Sequence, residues 1–329
     1  MKYLKTYRLL FSVALTVFFL TQSCSSQSDK EIDGKRVENI IDSISSLLNQ
    51  YYVFPGVAKK IEVQLKAECT KGYFNNIKSD EELAEKIHLE MKSIANDLHL
   101  RFWVAGSTKS SGINRNRIPN YNYQKVNDIR EFGFFRTGKV DNDIGYLEIL
   151  GFPPLNSSKE SIDTAMKCLT DSKVLIIDVR RNGGGIPETI KYICSYFFEK
   201  PTHINSIYWR YLDKTVDFIT LEEVGGRKMV DVPIYVLTSS NTVSGGEEFA
   251  YNIQTQKRGV LIGEVTAGGA NPSDVLSFDN FRISIPTGRA INPITKTNWE
   301  GVGVKPDYEI EASEALELAH EKALLFIKE

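Results

Sequence analysis

From residue 36 to about residue 97 the apolar positions recur at helical spacing. "VENIIDSISSLLNQYYV" sets the pattern, "GVAKKIEVQLKAECTKGYF" continues it, and "SDEELAEKIHLEMKSIANDLH" closes it. Ser79 followed by Glu82 gives the last segment a capping-box start. Three such segments with short joins predict a small helical bundle over residues 36–100. After residue 100 the period shortens. "RFWVAG", "IGYLEIL", "KVLIIDVR", "PIYVLTS", "GVLIGEV" and "FRISIPT" read as strands, several too apolar to have a solvated face. Helical patterns at Ser158–Thr170, Pro187–Phe198 and Ser244–Gln256 alternate with them, and "SEALELAHEKALLFIK" ends the chain. Buried strands alternating with helices predict an α/β unit over residues 101–329. Ser107–Lys125 is polar and reads as a loop.

Composition narrows the classes. The 329 residues are 42% apolar, enough for a large core, and 40 basic against 42 acidic residues leave a net charge of −2. No basic block or aromatic-interleaved stripe points to nucleic acid. Residues 1–23 read as an export signal: Lys2, Lys5 and Arg8 precede the apolar run "LLFSVALTVFFL", which is short for a membrane span. "TQSCSSQSDKE" follows, with a small residue before Cys24 and a serine-rich tether over residues 24–35. This is similar to a bacterial lipoprotein signal with Cys24 as the lipidated residue, which places the protein at the periplasm or outer membrane. An ordinary cleaved signal peptide is the alternative. Cys69, Cys168 and Cys194 have no metal-like spacing and suggest neither a disulfide framework nor a catalytic thiol.

Two glycine-bearing turns draw attention. In "KVLIIDVRRNGGGIPETI" a buried strand runs into Gly183–Gly185 and then a helix, so backbone N–H groups can approach a ligand unobstructed. A tight turn explains the glycines equally well, and no phosphate-loop spelling is present. In "PIYVLTSSNTVSGGEEFAYNI" a strand leads into a helix that begins at Ser244. That position suits either an N-cap or a nucleophile next to the helix dipole. Glu247 and Glu248, one turn on, fit capping and surface solvation. A serine nucleophile needs a base. Of four histidines, His88 and His320 lie in helical patterns, and His203 sits between a helix and a strand. His99, in "NDLHLRFWV", stands where the bundle meets the first strand, a place for a cleft. Glu300, in a glycine-rich turn, can orient an imidazole, whereas Asp307 reads as structural.

The chain resembles the C-terminal processing (tail-specific) serine peptidases, nearest the branch typified by the tricorn protease core and the interphotoreceptor retinoid-binding protein modules. "NQYYVFPGVAKKI", "NDLHLRF", "IGYLEILGF", "LIIDVRRNGGG", "VLTSSNTVSGGEEFA", "GEVTAGGANP" and "IPTGRAINPITKTNWEGVGVKPD" carry the resemblance, in the family's order. It implies a ClpP/crotonase-like core of β-β-α units behind the helical bundle, without the family's usual PDZ domain. It also implies an acyl-enzyme on Ser244 with His99 as general base and Glu300 as a further member, and Gly245 and Gly184 as oxyanion donors. No metal or cofactor is implied. Many members place a lysine base where this chain has Gly269, and the tricorn-type second serine is replaced by Leu98. The expected substrate is a peptide or unfolded protein, with activity falling as acid protonates the histidine. A non-catalytic carrier of a hydrophobic ligand and an envelope scaffold are the alternatives on this fold.

Overall fold

The computed structural model describes residues 32–107 and 126–329. The export signal, Cys24, most of the tether and the polar stretch after Ser107 lie outside these residues.

Three helices open the described chain: α1 (Gly34–Tyr51), α2 (Pro55–Thr70) and α3 (Asp80–Ile94). Asp33 caps α1 by accepting the Lys35 N–H at 3.1 Å, and Val37, Ile40, Ile41, Ile44 and Leu48 form its buried stripe. Pro55 starts α2, where its missing N–H leaves nothing unsatisfied. Ser79 caps α3 as expected, accepting from the Glu82 N–H at 3.1 Å. The Glu82 carboxylate returns to the Lys78 N–H, one residue earlier than a strict capping box requires.

These helices do not close on themselves. They pack on a three-stranded antiparallel sheet in which β1 (Arg101–Val104) pairs with β11 (Phe281–Pro286), which pairs with β10 (Ser273–Phe278). Phe102, Val104, Phe281, Ile283 and Ile285 share one buried cluster with Ile41, Ile61, Leu65, Ile87 and Met91. The bundle is therefore completed by strands nearly two hundred residues away in sequence. That puts His99, just before β1, close to the segment just before β10.

The main sheet has seven strands in the order β13-β9-β8-β5-β4-β3-β2. β2 (Asn127–Phe132), β3 (Phe135–Asp141) and β4 (Ile144–Ile149) run antiparallel. From β4 the order continues in parallel through β5 (Val174–Asp178), β8 (Ile234–Thr238), β9 (Val260–Gly263) and β13 (Tyr308–Glu309). Strand alternation divides the sheet's two faces. Leu147, Ile149, Leu175, Ile177, Ile234, Val236 and Leu261 face α4 (Leu155–Lys167), α5 (Pro187–Cys194) and α6 (Gly245–Thr255). Ile144, Tyr146, Val174, Ile176, Leu237 and Ile262 face α7 (Ala315–Lys328). A smaller sheet of β12 (Gly288–Ile291), β6 (His203–Trp209) and β7 (Lys214–Ile219) flanks the helical face. This is the expected mixed α/β core behind an N-terminal helical region, and between β1 and β4 the described residues form only the β2–β3 hairpin. No helix among the described residues is long and apolar enough to cross a membrane.

At the carboxyl ends of the parallel strands, buried charge braces the loops. Asp178 accepts from Tyr146 at 2.7 Å and pairs with Arg180, whose guanidinium also donates to the Ala312 carbonyl at 2.6 Å. The loops that leave this edge carry the two glycine-bearing turns, the usual position for a site on such a sheet. Ile177, fully buried in the central strand β5, tests the layering. Ile177→Ala should lower stability by about 2–5 kcal/mol, read as a lower urea midpoint at unchanged slope. A loss below about 1 kcal/mol would contradict its central placement.

Candidate active site

Ser244 occupies the N-cap of α6, but not in the usual conformation. An N-cap residue normally has extended backbone with negative φ. Ser244 has φ 56° and ψ −118°, a strained region for a residue with a Cβ. Capping alone requires no such strain; presenting the hydroxyl on a sharp strand-to-helix turn does. The strain is held by close packing of glycine on glycine. A Cβ at Gly184 would lie 2.9 Å from Ser244 Cβ, and one at Gly245 would lie 2.9 Å from the Gly185 nitrogen. Only bare backbone allows the two turns to meet.

The same loop corrects one expected donor. The Gly184 N–H is already committed to the Asn182 side-chain oxygen at 2.8 Å, and its carbonyl accepts from the Phe152 N–H at 2.9 Å. Asn182 is itself anchored to the Ile149 carbonyl at 2.8 Å. Gly185 follows with φ 144°, and its N–H has no hydrogen-bond partner among the described residues. The Gly245 N–H is likewise unengaged. The free donors beside Ser244 are therefore Gly245 and Gly185, with Gly184 acting as the spacer.

Glu247, expected to be a solvated capping acid, is fully buried. Its Oε2 accepts from the Ser244 N–H at 2.8 Å and the Gly269 N–H at 2.8 Å. Its Oε1 accepts from the Gly268 N–H at 2.6 Å and the Thr266 hydroxyl at 2.5 Å. Burial raises its pKa, and these donors oppose the rise. Glu248 is also buried rather than surface-solvated, and desolvation pushes it up to about 7. Glu300 takes the next two amides of the same segment: its Oε2 accepts from the Ala270 N–H at 2.6 Å and the Asn271 N–H at 3.0 Å. The N–H groups of residues 268 to 271 are thus all bound by two acids, one tied to Ser244.

His99 lies against this segment. A Cβ at Gly269 would lie 2.9 Å from His99 Cε1 and 3.7 Å from Glu247 Oε2. The imidazole therefore packs where a side chain at residue 269 would go. Burial lowers the His99 pKa, Asp97 opposes the change and Arg101 reinforces it, so the ring is held neutral. Asp97, His99 and Glu300 each bring an atom within 4.8 Å of the others. Sequence analysis missed Asp97; its place two residues before His99 was the available signal. Burial, then the charge of Asp97, pushes Glu300 up to about 7. The trio is the one grouping among the described residues with the spacing to hold a cation. Asp97 accepts three hydrogen bonds, from His99, Asn271 and Tyr52, and Glu300 Oε2 accepts two. Only His99 Nδ1 and Glu300 Oε1 remain buried without a partner, fewer than the three protein ligands of a catalytic zinc. The cluster fits a proton better than a metal.

The other candidates fall elsewhere. His88 is half-buried on α3, His203 contacts Ser206 at 2.8 Å, and His320 pairs with Asp141 at 3.2 Å. Asp307 is structural, accepting the Leu261 N–H at 2.7 Å. Cys194 is buried, while Cys69 and Cys168 are only partly so. The backbone of Ser244 gives a direct test. Ser244→Gly relieves the strain that Ser244→Ala retains, so the glycine variant should be the more stable by about 1 kcal/mol despite glycine's greater unfolded-state freedom. An alanine variant at least as stable would contradict a strained elbow.

Comparison with known proteins identifies the family and the fold. Residues 143–310 match the model of peptidase family S41, and residues 34–133 match the N-terminal domain of that family described in eukaryotic IRBP. The carboxy-terminal-processing protease of Bartonella bacilliformis is 26% identical over 178 residues, covering 53% of this chain and 40% of that protein. The carboxy-terminal processing protease CtpA of Bacillus subtilis is 27% identical over 142 residues, 43% of this chain and 29% of the other. This chain therefore spans less than half the length of either relative. Among solved structures, a putative peptidase from Parabacteroides merdae aligns with a TM-score of 0.66 at 16% identity, over 88% of this chain and 96% of that one. The photosystem II D1 C-terminal processing protease aligns with a TM-score of 0.54 at 13% identity, over 84% and 93%. The fold is theirs, and on the family match the chain belongs to peptidase family S41, whose curated relatives are carboxy-terminal-processing proteases.

Proposed function

We propose that the protein is a serine endopeptidase acting on peptides or unfolded protein. The observation that carries this reading is the strained backbone of Ser244, packed against two unengaged N–H groups. Ser244 attacks the substrate carbonyl, and His99 takes its proton and later returns it to the leaving amine. The Gly245 and Gly185 amides hold the oxyanion. Glu300, in its ionised form, holds the imidazole as a proton forms on it. Water then hydrolyses the ester. Glu247 fixes the distance between serine and histidine by holding the amides of Ser244 and Gly269 on one oxygen. A carrier of hydrophobic ligands would gain nothing from a strained serine.

Sequence residues 1–35 support an exported protein held by a lipid on Cys24, so the proposed setting is the bacterial cell envelope. A substrate-facing PDZ module is absent from the described residues, and the substrate is proposed only as an extended or unfolded chain.

Cleavage of a fluorescently labelled unfolded protein tests the assignment. Wild type should cleave it, Ser244→Ala should fall to background, and His99→Ala should fall roughly a thousandfold or more. Gly269→Ala, which introduces a methyl against the His99 ring, should lose roughly a hundredfold while remaining folded. Undiminished cleavage by Ser244→Ala would remove the serine mechanism, and a fully active Gly269→Ala would remove the proposed seat of the histidine.

A further inference from the structure

Asp97 has no part in the mechanism above, yet it binds the His99 backbone and lies within 4.8 Å of both the imidazole and the Glu300 carboxyl. It is buried two residues before His99, and its Oδ1 accepts the His99 backbone N–H at 3.0 Å. Its Oδ2 accepts from Asn271 Nδ2 at 3.1 Å and from the Tyr52 hydroxyl at 3.4 Å. The backbone N–H of the same Asn271 donates to Glu300 Oε2 at 3.0 Å, so one residue holds both carboxyl groups. The titratable and charged groups facing this cluster are Tyr52 at the C-terminal end of α1, Arg101 on β1 and Glu247 on α6. The enclosed atoms without partners are His99 Nδ1, Glu300 Oε1 and Asn271 Oδ1, of which the first two are titratable.

Taking Ser244 and His99 as nucleophile and base, we propose that Asp97 and Glu300 hold one proton between them, seated on Glu300 Oε1, and that the site becomes competent only when that proton leaves. Two carboxylates this close do not both ionise readily in a buried site. Burial pushes both carboxyl groups up, but Asp97 has donors on both of its oxygens and Glu300 Oε1 has none, so Asp97 keeps the charge and Glu300 takes the proton. A proton on Glu300 Oε1 supplies the donor that His99 Nδ1 lacks, once the two atoms, unbonded here and grouped within 4.8 Å, close on each other. The imidazole then carries its own proton on Nε2 and cannot accept one from Ser244. When the Glu300 proton is lost to solvent, the imidazole proton moves to Nδ1 and donates to the carboxylate, and the Nε2 lone pair is freed. One O–H bond breaks, one proton is released, and no other group changes charge. Burial and the Asp97 charge place Glu300 near 7, whereas burial holds the His99 pKa below its ordinary value. The acid limb of activity therefore reports the carboxyl pair and not the imidazole. Asp97 is a positioning residue that also sets the working pH.

Asp97→Asn retains an oxygen for the His99 N–H but removes the charge, so Glu300 should ionise at lower pH. The rate of inactivation by a fluorophosphonate, normalised to its plateau, should shift its acid midpoint down by about one pH unit, roughly a fivefold gain at pH 6. A lowered plateau with an unmoved midpoint would mean a purely structural role and overturn the proposal. The second readout needs no activity: the ring nitrogens of ¹⁵N-histidine-labelled protein, with only four histidines to assign. His99 should pass from the Nε2–H to the Nδ1–H tautomer across pH 6–8, with a lower midpoint in Asp97→Asn. An imidazolium in that range, or one tautomer throughout, would overturn the proposal. Absence of labelling together with the tautomer switch would count against the peptidase reading alone.

Discussion

Everything at the site depends on one short stretch of backbone, residues 268 to 271. Its four consecutive N–H groups are bound in pairs by two carboxyl groups, the buried Glu247 and the half-buried Glu300. Glu247 comes from the helix that carries Ser244, and Glu300 from the turn that faces His99. Buried acids are tolerated only when charge-assisted hydrogen bonds replace lost water. That requirement fixes the segment in place, and the segment in turn sets where serine and histidine stand.

The two halves of the site reach this segment by different routes. Ser244 arrives on a parallel sheet whose strands are buried on both faces, and its strain can persist because the surrounding glycine packing leaves no easier conformation. His99 arrives from the helical region, whose hydrophobic cluster is completed by β10 and β11, the strands that follow the segment. A side chain at residue 269 would occupy the imidazole's place, so the bare glycine and the seated histidine are two aspects of one arrangement.

Parts of this were legible in the sequence. The central strands were, because "VLIID" and "IYVLT" are apolar on both faces and have no other use in a soluble fold. β2 and β7 were not, since these exposed antiparallel strands carry charges at up to half of their positions, and "NDIREF" shows no apolar face. The helices emerged within a few residues, because their periodicity and caps are local. Ser244, His99 and Glu300 stood out by residue type and setting. Asp97 did not: its place two residues before His99 was a signal, but residue type alone does not say which of 42 acidic residues folding will enclose. Glu247 does cap the helix as read, but its burial went unseen for the same reason. Gly184 and Gly185 are neighbours in one motif, and only the φ values and the Asn182 side chain decide which N–H is left free.

The most direct test of the account is mass spectrometry of the mature protein after reaction with a fluorophosphonate. One adduct, located on Ser244 and abolished in His99→Ala at unchanged fold, is the predicted result. An unmodified Ser244 in folded wild type at pH 8, where the carboxyl pair has lost its proton, would contradict it.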